Sequence, residues 1–444
     1  MSSWKKVKLS EIIESINTGL DAIRRAPIVD FSTDIRCLRI QDISQNKDFN
    51  NWGFTEVKDI DYQKFQLKKD DIIMARTCST GICFLVKNDL SAVFNNGLAR
   101  IRVNSLKVDP KYLFYVFKSS DFKGYIDGIS GGTSVQLNMK IGDLSKYEFH
   151  LPPLDIQKKI ATYLSILDDK IQLNTQINQT LEQIAKAIFK SWFIDFDPVK
   201  AKAEAKAQDS TDEQANIAAM SMISGKSPDQ LNAHKQTNPT DYQQLLELAQ
   251  AFPSEFEEID GVEVPKGWEI TNFGAVSECF DKKRIPLSKR QREQKIGNIP
   301  YYGATSVMDY VNEAIFNDIY LLIGEDGSVL KDDGTPFIQY IWGESWVNNH
   351  AHVLKGKDCV STEHLMLFMS LTNIRSYITG AVQMKLNQAN MNRIPFIKAT
   401  NEINILFSKY ISSFYEQIRF FSDENKNLMK VRDLLLPKLL SGEI

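Results

Sequence analysis

The sequence predicts an α+β chain with an internal pseudo-two-fold repeat: two similar globular domains separated by two long antiparallel helices that form a coiled coil. Three observations carry this reading. First, steps of four and three residues from Ile160 pass through Leu164, Leu167, Ile171, Asn174, Asn178, Leu181, Ala185, Ile188 and Trp192, an apolar seam with a 3.5-residue period. Second, the same walk from Phe407 passes through Ile411, Phe414, Ile418, Phe421, Asn425, Leu428, Arg432, Leu435 and Leu439, each 247 residues after its counterpart. Third, the segments before each seam share strand-like runs, turns and one helix in the same order.

These observations divide the chain into five parts. They are a first globular domain (1–152), a long helix (153–194), an acidic linker or insertion (195–264), a second globular domain (265–400) and a second long helix (401–444).

In the first domain, residues 71–75, 82–86 and 98–103 read as strands, and 112–117 reads as a helix core following Asp109-Pro110. Residues 129–144 read as a Gly/Ser/Thr loop running into a polar stretch. Leu151-Pro152-Pro153-Leu154 then fixes the chain before the long helix, since proline suits the start of a helix better than its interior. No Pro or Gly lies between Gln157 and Trp192, so nothing in the backbone interrupts that helix. Asn174, Asn178 and Asn425 are expected to act as register devices in the seam, because a buried amide penalises slipped pairings. Arg432 is expected to snorkel or to meet a carboxylate.

Residues 195–264 contain 14 Asp/Glu and 5 Lys/Arg, so the formal net charge of −3 originates in one stretch and leaves the remainder at +6. This stretch reads as having little core of its own, with one short amphipathic helix over 242–252. In the second domain, 319–323 and 337–342 read as strands and 363–371 as a helix. Local echoes link the halves: Phe94-Asn95-Asn96-Gly97 with Val347-Asn348-Asn349-His350 at an offset of 253, and Val135-Gln136-Leu137-Asn138 with Met384-Lys385-Leu386-Asn387 at 249. Asn138 and Asn387 suit helix caps or turns.

The run Leu151-Pro152-Pro153-Leu154-Asp155-Ile156-Gln157-Lys158-Lys159-Ile160-Ala161, the following Leu167-Asp168-Asp169-Lys170-Ile171 and the C-terminal Leu434-Leu435-Leu436-Pro437-Lys438-Leu439-Leu440-Ser441-Gly442-Glu443-Ile444 resemble the specificity subunits of type I restriction-modification enzymes. Together with the duplication, the resemblance covers nearly the whole chain. It implies that each globular segment is a target-recognition domain reading one half of a bipartite site in double-stranded DNA. It also implies that the helices dock two methyltransferase subunits, joined by restriction/translocase subunits. S-adenosylmethionine, ATP and magnesium are expected on those partners and no cofactor on this chain. Two features depart from the family pattern: Phe396-Ile397-Lys398-Ala399-Thr400 replaces the double-proline motif, and segment 195–264 is longer than a minimal linker. A 40-residue helix reaches roughly 60 Å at about 1.5 Å per residue, enough to set a spacing between half-sites.

Base readout calls for Arg or Lys toward guanine and Asn or Gln toward adenine. Phosphate contacts call for Lys, Arg, hydroxyls and backbone N–H groups. In the first domain the candidates are Arg24, Arg25, Arg76, Thr77, Ser79, Thr80, Asn95, Asn96, Thr133, Ser134 and Gln136. In the second they are Lys282, Lys283, Arg284, Tyr301, Tyr302, Thr305, Ser306, Asn348, Asn349, His350, Gln383 and Lys385. The Asn residues also suit turns that need a left-handed backbone.

Catalytic signatures are scarce. Asn298-Ile299-Pro300-Tyr301 departs from the Asn-Pro-Pro-aromatic tetrapeptide of amino-methyltransferases. Gly225-Lys226-Ser227 lacks the upstream glycine of a phosphate loop, which here is Met220. Asp197 with Glu204-Ala205-Lys206 matches a loose nuclease spacing, and His350, His352 and Cys359 fit no common zinc pattern. The chain therefore reads as non-catalytic, with a coiled-coil scaffold carrying two protein-binding modules as the alternative. The odd cysteine count, the lack of an apolar run after the first lysines and the lack of a membrane-length apolar run give a cytoplasmic expectation.

Overall fold

The structure, a computed structural model, describes residues 4–129, 139–380 and 383–444. The chain forms two compact units. One comprises Met1–Asn174 with Asp423–Ile444, and the other Thr175–Ser422. Each long helix, Leu154–Phe193 and Asn401–Ser441, is continuous.

In the first unit a four-stranded antiparallel sheet runs in the order Ile13–Thr18, Leu98–Val103, Ile72–Ala75, Cys83–Leu85. The central strand is buried on both faces. Ile72 and Met74 enter a core with Tyr112, Leu113 and Ile160, while Ile73 and Ala75 enter another with Cys37, Trp52 and Phe94. This is the period-2 alternation of a strand covered on both sides, and it explains the uninterrupted apolar run in the sequence. The second core lies against another sheet, ordered Ile28–Val29, Gly53–Thr55, Arg36–Leu38, Ala92–Phe94, whose last pair is parallel. Asp109 caps the helix Pro110–Phe117 by accepting from the Tyr112 N–H at 2.9 Å, and Pro110 sits in its first turn.

The second unit repeats this plan. Its antiparallel sheet runs Ser277–Cys279, Ala351–Gly356, Tyr320–Gly324, Ile338–Ile341, again with the third strand central in the core. Its second sheet contains the corresponding parallel pair, Ile296–Tyr302 with Glu344–Val347. Both domains are closed by an antiparallel pair that leads into a long helix: Lys5–Lys8 with Glu148–Leu151, and Glu269–Asn272 with Pro395–Lys398.

The helices pack antiparallel within each unit. In the first, Asn174 donates to Asn425 Oδ1 at 2.9 Å, Arg432 lies 2.7 Å from Asp168, and Ile160 and Leu164 share a core with Leu436 and Leu439. In the second, Asn178 donates to Ser422 Oγ at 3.0 Å, and Phe189, Phe193 and Trp192 surround Phe407. All ten positions of each seam are buried or half-buried.

The acidic stretch differs from the expected linker. It folds into four helices, Asp197–Ala207, Asp212–Ser224, Pro228–Thr237 and Pro239–Ala251, followed by the hairpin Phe256–Ile259/Val262–Pro265. Ala219, Met220, Leu231, Tyr242 and Ala249 form its core, and Lys202 buries its ammonium against the carbonyls of Ala249 (3.0 Å) and Phe252 (2.5 Å). Reciprocal caps start two of these helices, Thr211 with Gln214 and Ser227 with Gln230. Gly225, at φ +68°, ends a helix, so Gly225-Lys226-Ser227 is a turn between two caps rather than part of a phosphate loop. Asp197 and Glu204 lie two turns apart on one helix, roughly 10 Å along its axis, too far to share a metal. The segment 141–144, expected within a polar loop, forms one helical turn.

Candidate nucleic-acid interface

In the second unit the strand Tyr320–Gly324 delivers Glu325 to the end of the sheet. There the Glu325 N–H donates to the His350 carbonyl, and its carbonyl accepts from the Leu386 N–H, both at 2.8 Å. The Glu325 side chain accepts from Arg284 at 2.8 Å and lies 3.2 Å from the Lys385 ammonium. Arg284 also donates to the Ala351 carbonyl (2.6 Å) and pairs with Asp281 (3.1 Å). His352 is buried, with Nδ1 2.6 Å from Asp281 and Nε2 2.8 Å from the Leu386 carbonyl. Burial would raise the Asp281 pKa, but His352, the Val353 N–H and Arg284 outweigh it and hold the carboxyl below its ordinary range.

This network gathers segments that are distant in sequence: the 3-10 turn Asp281–Lys283, the 348–350 turn and the strand-like residues 383–386. Lys282, Lys283, Asn349, His350, Gln383 and Lys385 are exposed around it. His350 pairs with Asp326 at 2.5 Å. Thr305 and Ser306 are exposed on the tight turn closed by the Gly303 N–H to the Ser306 carbonyl.

Three candidates in this unit have structural roles instead. Arg284 is only 12% exposed and is committed to two carboxylates, because its partners lie in turns that the fold brings together. Asn348 is buried, donating to Met308 Sδ (3.2 Å) and accepting from the His350 N–H (2.8 Å), which shapes the turn. Tyr301 is a core side chain whose phenol accepts from the Leu287 N–H at 2.9 Å. Tyr302 is half-buried, and its carbonyl accepts from the Asn348 N–H.

The trio His350, His352 and Cys359 does not assemble, since Cys359 meets Asn401 at 3.1 Å. Cys279, Asp281 and His352 do come within ligand distance of one another. Within this cluster Asp281 pairs with Arg284 and His352, and burial pushes the Cys279 thiol up to about 12.

The first unit builds the same end around Arg76. Its N–H donates to the Gly97 carbonyl and its carbonyl accepts from the Met139 N–H, both at 2.9 Å. These are the two backbone bonds of Glu325, and they align Met139 with Leu386 at an offset of 247, so the echo read at 249 is displaced by two residues. The Arg76 guanidinium donates to the carbonyls of Met139 (3.3 Å) and Asn96 (3.2 Å). It is thus a strut rather than a free phosphate anchor. Thr77, Ser79 and Thr80 are half-buried on the turn that follows, and Asn96 is exposed. Among the described residues the buried Asn95 Oδ1 has no hydrogen-bond partner.

Leu20 bridges to Asn95, bringing the 21–25 turn beside this end. A Cβ at Gly19 would fall 2.3 Å from the carbonyl oxygens of Phe94 and Asn95, so only glycine permits that approach. Arg24 is exposed, whereas Arg25 is held by Asp61 at 2.5 Å and lies over the Phe65 ring. Thr133, Ser134, Gln136 and Asn138 lie outside the described residues; Asn387 caps the helix Gln388–Asn392.

Sequence reasoning missed the carboxylates Glu325 and Asp326. It also missed Lys289 and Arg290, exposed on the helix Lys289–Glu293, and Met308 and Tyr310, each 53% exposed on the strand Val307–Val311. The Ser288/Gln291 capping box was the available signal for that helix.

The family described as the type I restriction modification DNA specificity domain matches residues 1–183 and 265–428, leaving the folded insertion between the two matches. The HindI specificity subunit of Haemophilus influenzae is 33% identical over 100% of both chains. The MjaIX specificity subunit of Methanocaldococcus jannaschii is 24% identical over 85% of this chain and 78% of its own. The crystal structure of the type I restriction-modification S subunit from M. genitalium aligns over 98% of this chain and 96% of its own, with a TM-score of 0.54 and 16% identity, a likeness of fold. With two matched domains, a duplicated topology and a full-length relative, the chain belongs to the type I restriction-modification specificity subunits, the DNA-recognition and non-catalytic components of those systems.

Proposed function

We propose that each domain reads one half of a bipartite duplex site, using the sheet end built around Arg76 in one and around Glu325 in the other. The observation that carries this is the equivalent placement of polar, exposed turns at the same end of the same central strand in both domains. Arg24 and Asn96 are exposed candidates in the first domain; Lys282, Lys283, Thr305, Ser306, Asn349, His350, Gln383 and Lys385 are exposed candidates in the second. Lysines fit phosphate, and the Asn and Gln amides fit adenine edges.

The long helices dock two methyltransferase subunits, and restriction/translocase subunits join that assembly. Exposed apolar side chains outside the seam support this reading: Tyr163 and Leu173 recur as Tyr410 and Phe420 at the 247 offset, with exposures of 59%, 51%, 39% and 63%. A repeated apolar face suits two copies of one partner. S-adenosylmethionine, ATP and magnesium belong to those partners, and the complex works in the cytoplasm. Among the described residues no helix is long and apolar enough to cross a membrane, and all five cysteines are unpaired.

Footprinting of the chain with its methyltransferase partner tests the reading. Two protected blocks are expected, with affinity falling steeply as salt rises. A single block, or protection without sequence preference, would overturn it.

A further inference from the structure

Arg76 and Glu325 form the same pair of backbone hydrogen bonds, yet their side chains have opposite charge. Arg76 spends its guanidinium on two carbonyls, tying the turn at Asn96 to the segment at Met139. Glu325 instead ties two cations together: Arg284, which is nearly buried, and Lys385, whose side chain is 48% exposed with its ammonium 3.2 Å from the carboxylate. In both cases one side chain spans the loops that surround the reading end.

We propose that Arg76 and Glu325 are positioning residues of DNA recognition, each fixing the reading loops of its own domain and therefore the specificity of one half-site only. The inference rests on the bipartite reading above. Arg284 is too enclosed to reach a duplex, so within this network Lys385 is the exposed cation whose direction Glu325 sets. Without the Glu325 carboxylate, Lys385 loses its anchor and Arg284 keeps one carboxylate, Asp281, beside its bond to the Ala351 carbonyl. Without the Arg76 guanidinium, the Asn96 and Met139 carbonyls lose their common side-chain donor, while the backbone bonds of Arg76 to Gly97 and Met139 remain. The residues of each network belong to one unit: Arg76, Asn96 and Met139 to the first, and Arg284, Glu325 and Lys385 to the second.

The test is methylated-base mapping in cells that express the full chain with its modification partners, comparing wild type with Glu325→Gln, Glu325→Asp, Arg76→Gln and Lys385→Gln. Glu325→Gln should relax discrimination at one half of the site roughly tenfold, about the effect of misplacing one good base or backbone contact, and leave the other half as in wild type. Arg76→Gln should relax the opposite half. Glu325→Asp, which keeps the charge, should restore part of the discrimination, and Lys385→Gln should relax the same half as Glu325→Gln. The last variant keeps the test sharp if Glu325→Gln folds poorly, because Lys385 is a surface residue. Relaxation of both halves by one variant, of the same half by Arg76→Gln and Glu325→Gln, or of neither would overturn the inference while a two-part wild-type site left the bipartite reading intact. A wild-type map without a two-part site would overturn the bipartite reading itself and this inference with it.

Discussion

Asn174 donates its side-chain amide to Asn425 Oδ1 at 2.9 Å, and Asn425 donates in turn to the Ile171 carbonyl at 3.3 Å. The repeat places Asn425 opposite Asn178 in sequence, but antiparallel packing pairs it with Asn174. Asn174 also donates to Glu424 at 2.6 Å and is fully buried. Replacing one amide strands polar atoms of the other, which costs about 1–3 kcal/mol, whereas an apolar pair leaves fewer groups unpaired. Asn174→Leu and Asn425→Leu should each lower stability by about that amount. The double variant should lose less than the sum of the two, with a coupling of about 1 kcal/mol by denaturant unfolding. Strict additivity would remove the pair as a unit of register.

The Asp168–Arg432 pair, 2.7 Å apart with both side chains 21% exposed, contributes a pH dependence. Burial raises the Asp168 pKa, but Lys118, Arg432 and the Tyr115 hydroxyl outweigh that and hold it below its ordinary value. A depressed folded pKa means the unfolded chain binds the proton more readily. The stabilisation is therefore complete above the unfolded carboxyl value, about 4, and is lost as pH falls through the lower folded value. Asp168→Asn should cost about 1–3 kcal/mol at pH 7 and flatten the acid limb below pH 4, measured by chemical unfolding across that range.

The parts that the sequence made legible are those in which local pattern and tertiary role coincide. The seams combine a clean 3.5-residue period with a helix that has no breaker between Gln157 and Trp192 in the first and only Pro437, near its end, in the second, and the strands 72–75 and 320–324 are apolar throughout because both faces are covered. The second sheets were not legible, because strands such as Ile28–Val29 and Phe316–Asn317 are too short to show a period. The insertion was obscured by its charge, although its Thr211 and Ser227 capping boxes were visible. At the reading ends the segments were legible and several roles were not. Arg284 looks like a free cation until Glu325, 41 residues away, is folded against it. Tyr301 looks like a surface aromatic until Leu287 caps its hydroxyl.

His364 sits among Phe189, Phe193, Phe396 and Phe407, with ring centroids 4.5–5.5 Å away. Burial lowers its pKa to about 3, so it is neutral in the fold. Here the unfolded state takes up the proton first. Stability is complete above about pH 6.5 and falls by about 1.4 kcal/mol per pH unit as pH drops from there toward 3. His364→Phe should remove that slope in an unfolding series between pH 7 and 4, at the cost of some repacking. An unchanged slope would place the titration elsewhere.

Gln157 and Asn404 occupy equivalent positions at the starts of the two long helices, and they explain how the second helix begins without a double proline. Gln157 is 1% exposed; its amide donates to the Pro152 carbonyl at 2.8 Å and to the Lys107 carbonyl at 3.3 Å, and its Oε1 accepts from the Asp109 N–H at 2.8 Å. Asn404 donates to the carbonyls of Ala399 (2.8 Å) and Thr400 (3.1 Å), but its Oδ1 has no partner among the described residues. Both side chains pin the entering chain to the first turn, so the amide rather than the prolines is the shared device. Gln157→Leu strands a buried N–H and two carbonyls and should cost about 2–3 kcal/mol. Asn404→Leu strands carbonyls only, and removes an oxygen that was already unsatisfied, so it should cost about 1 kcal/mol. Equilibrium unfolding of the two variants measures the difference, and a larger loss for Asn404→Leu would contradict this account of how the helices start.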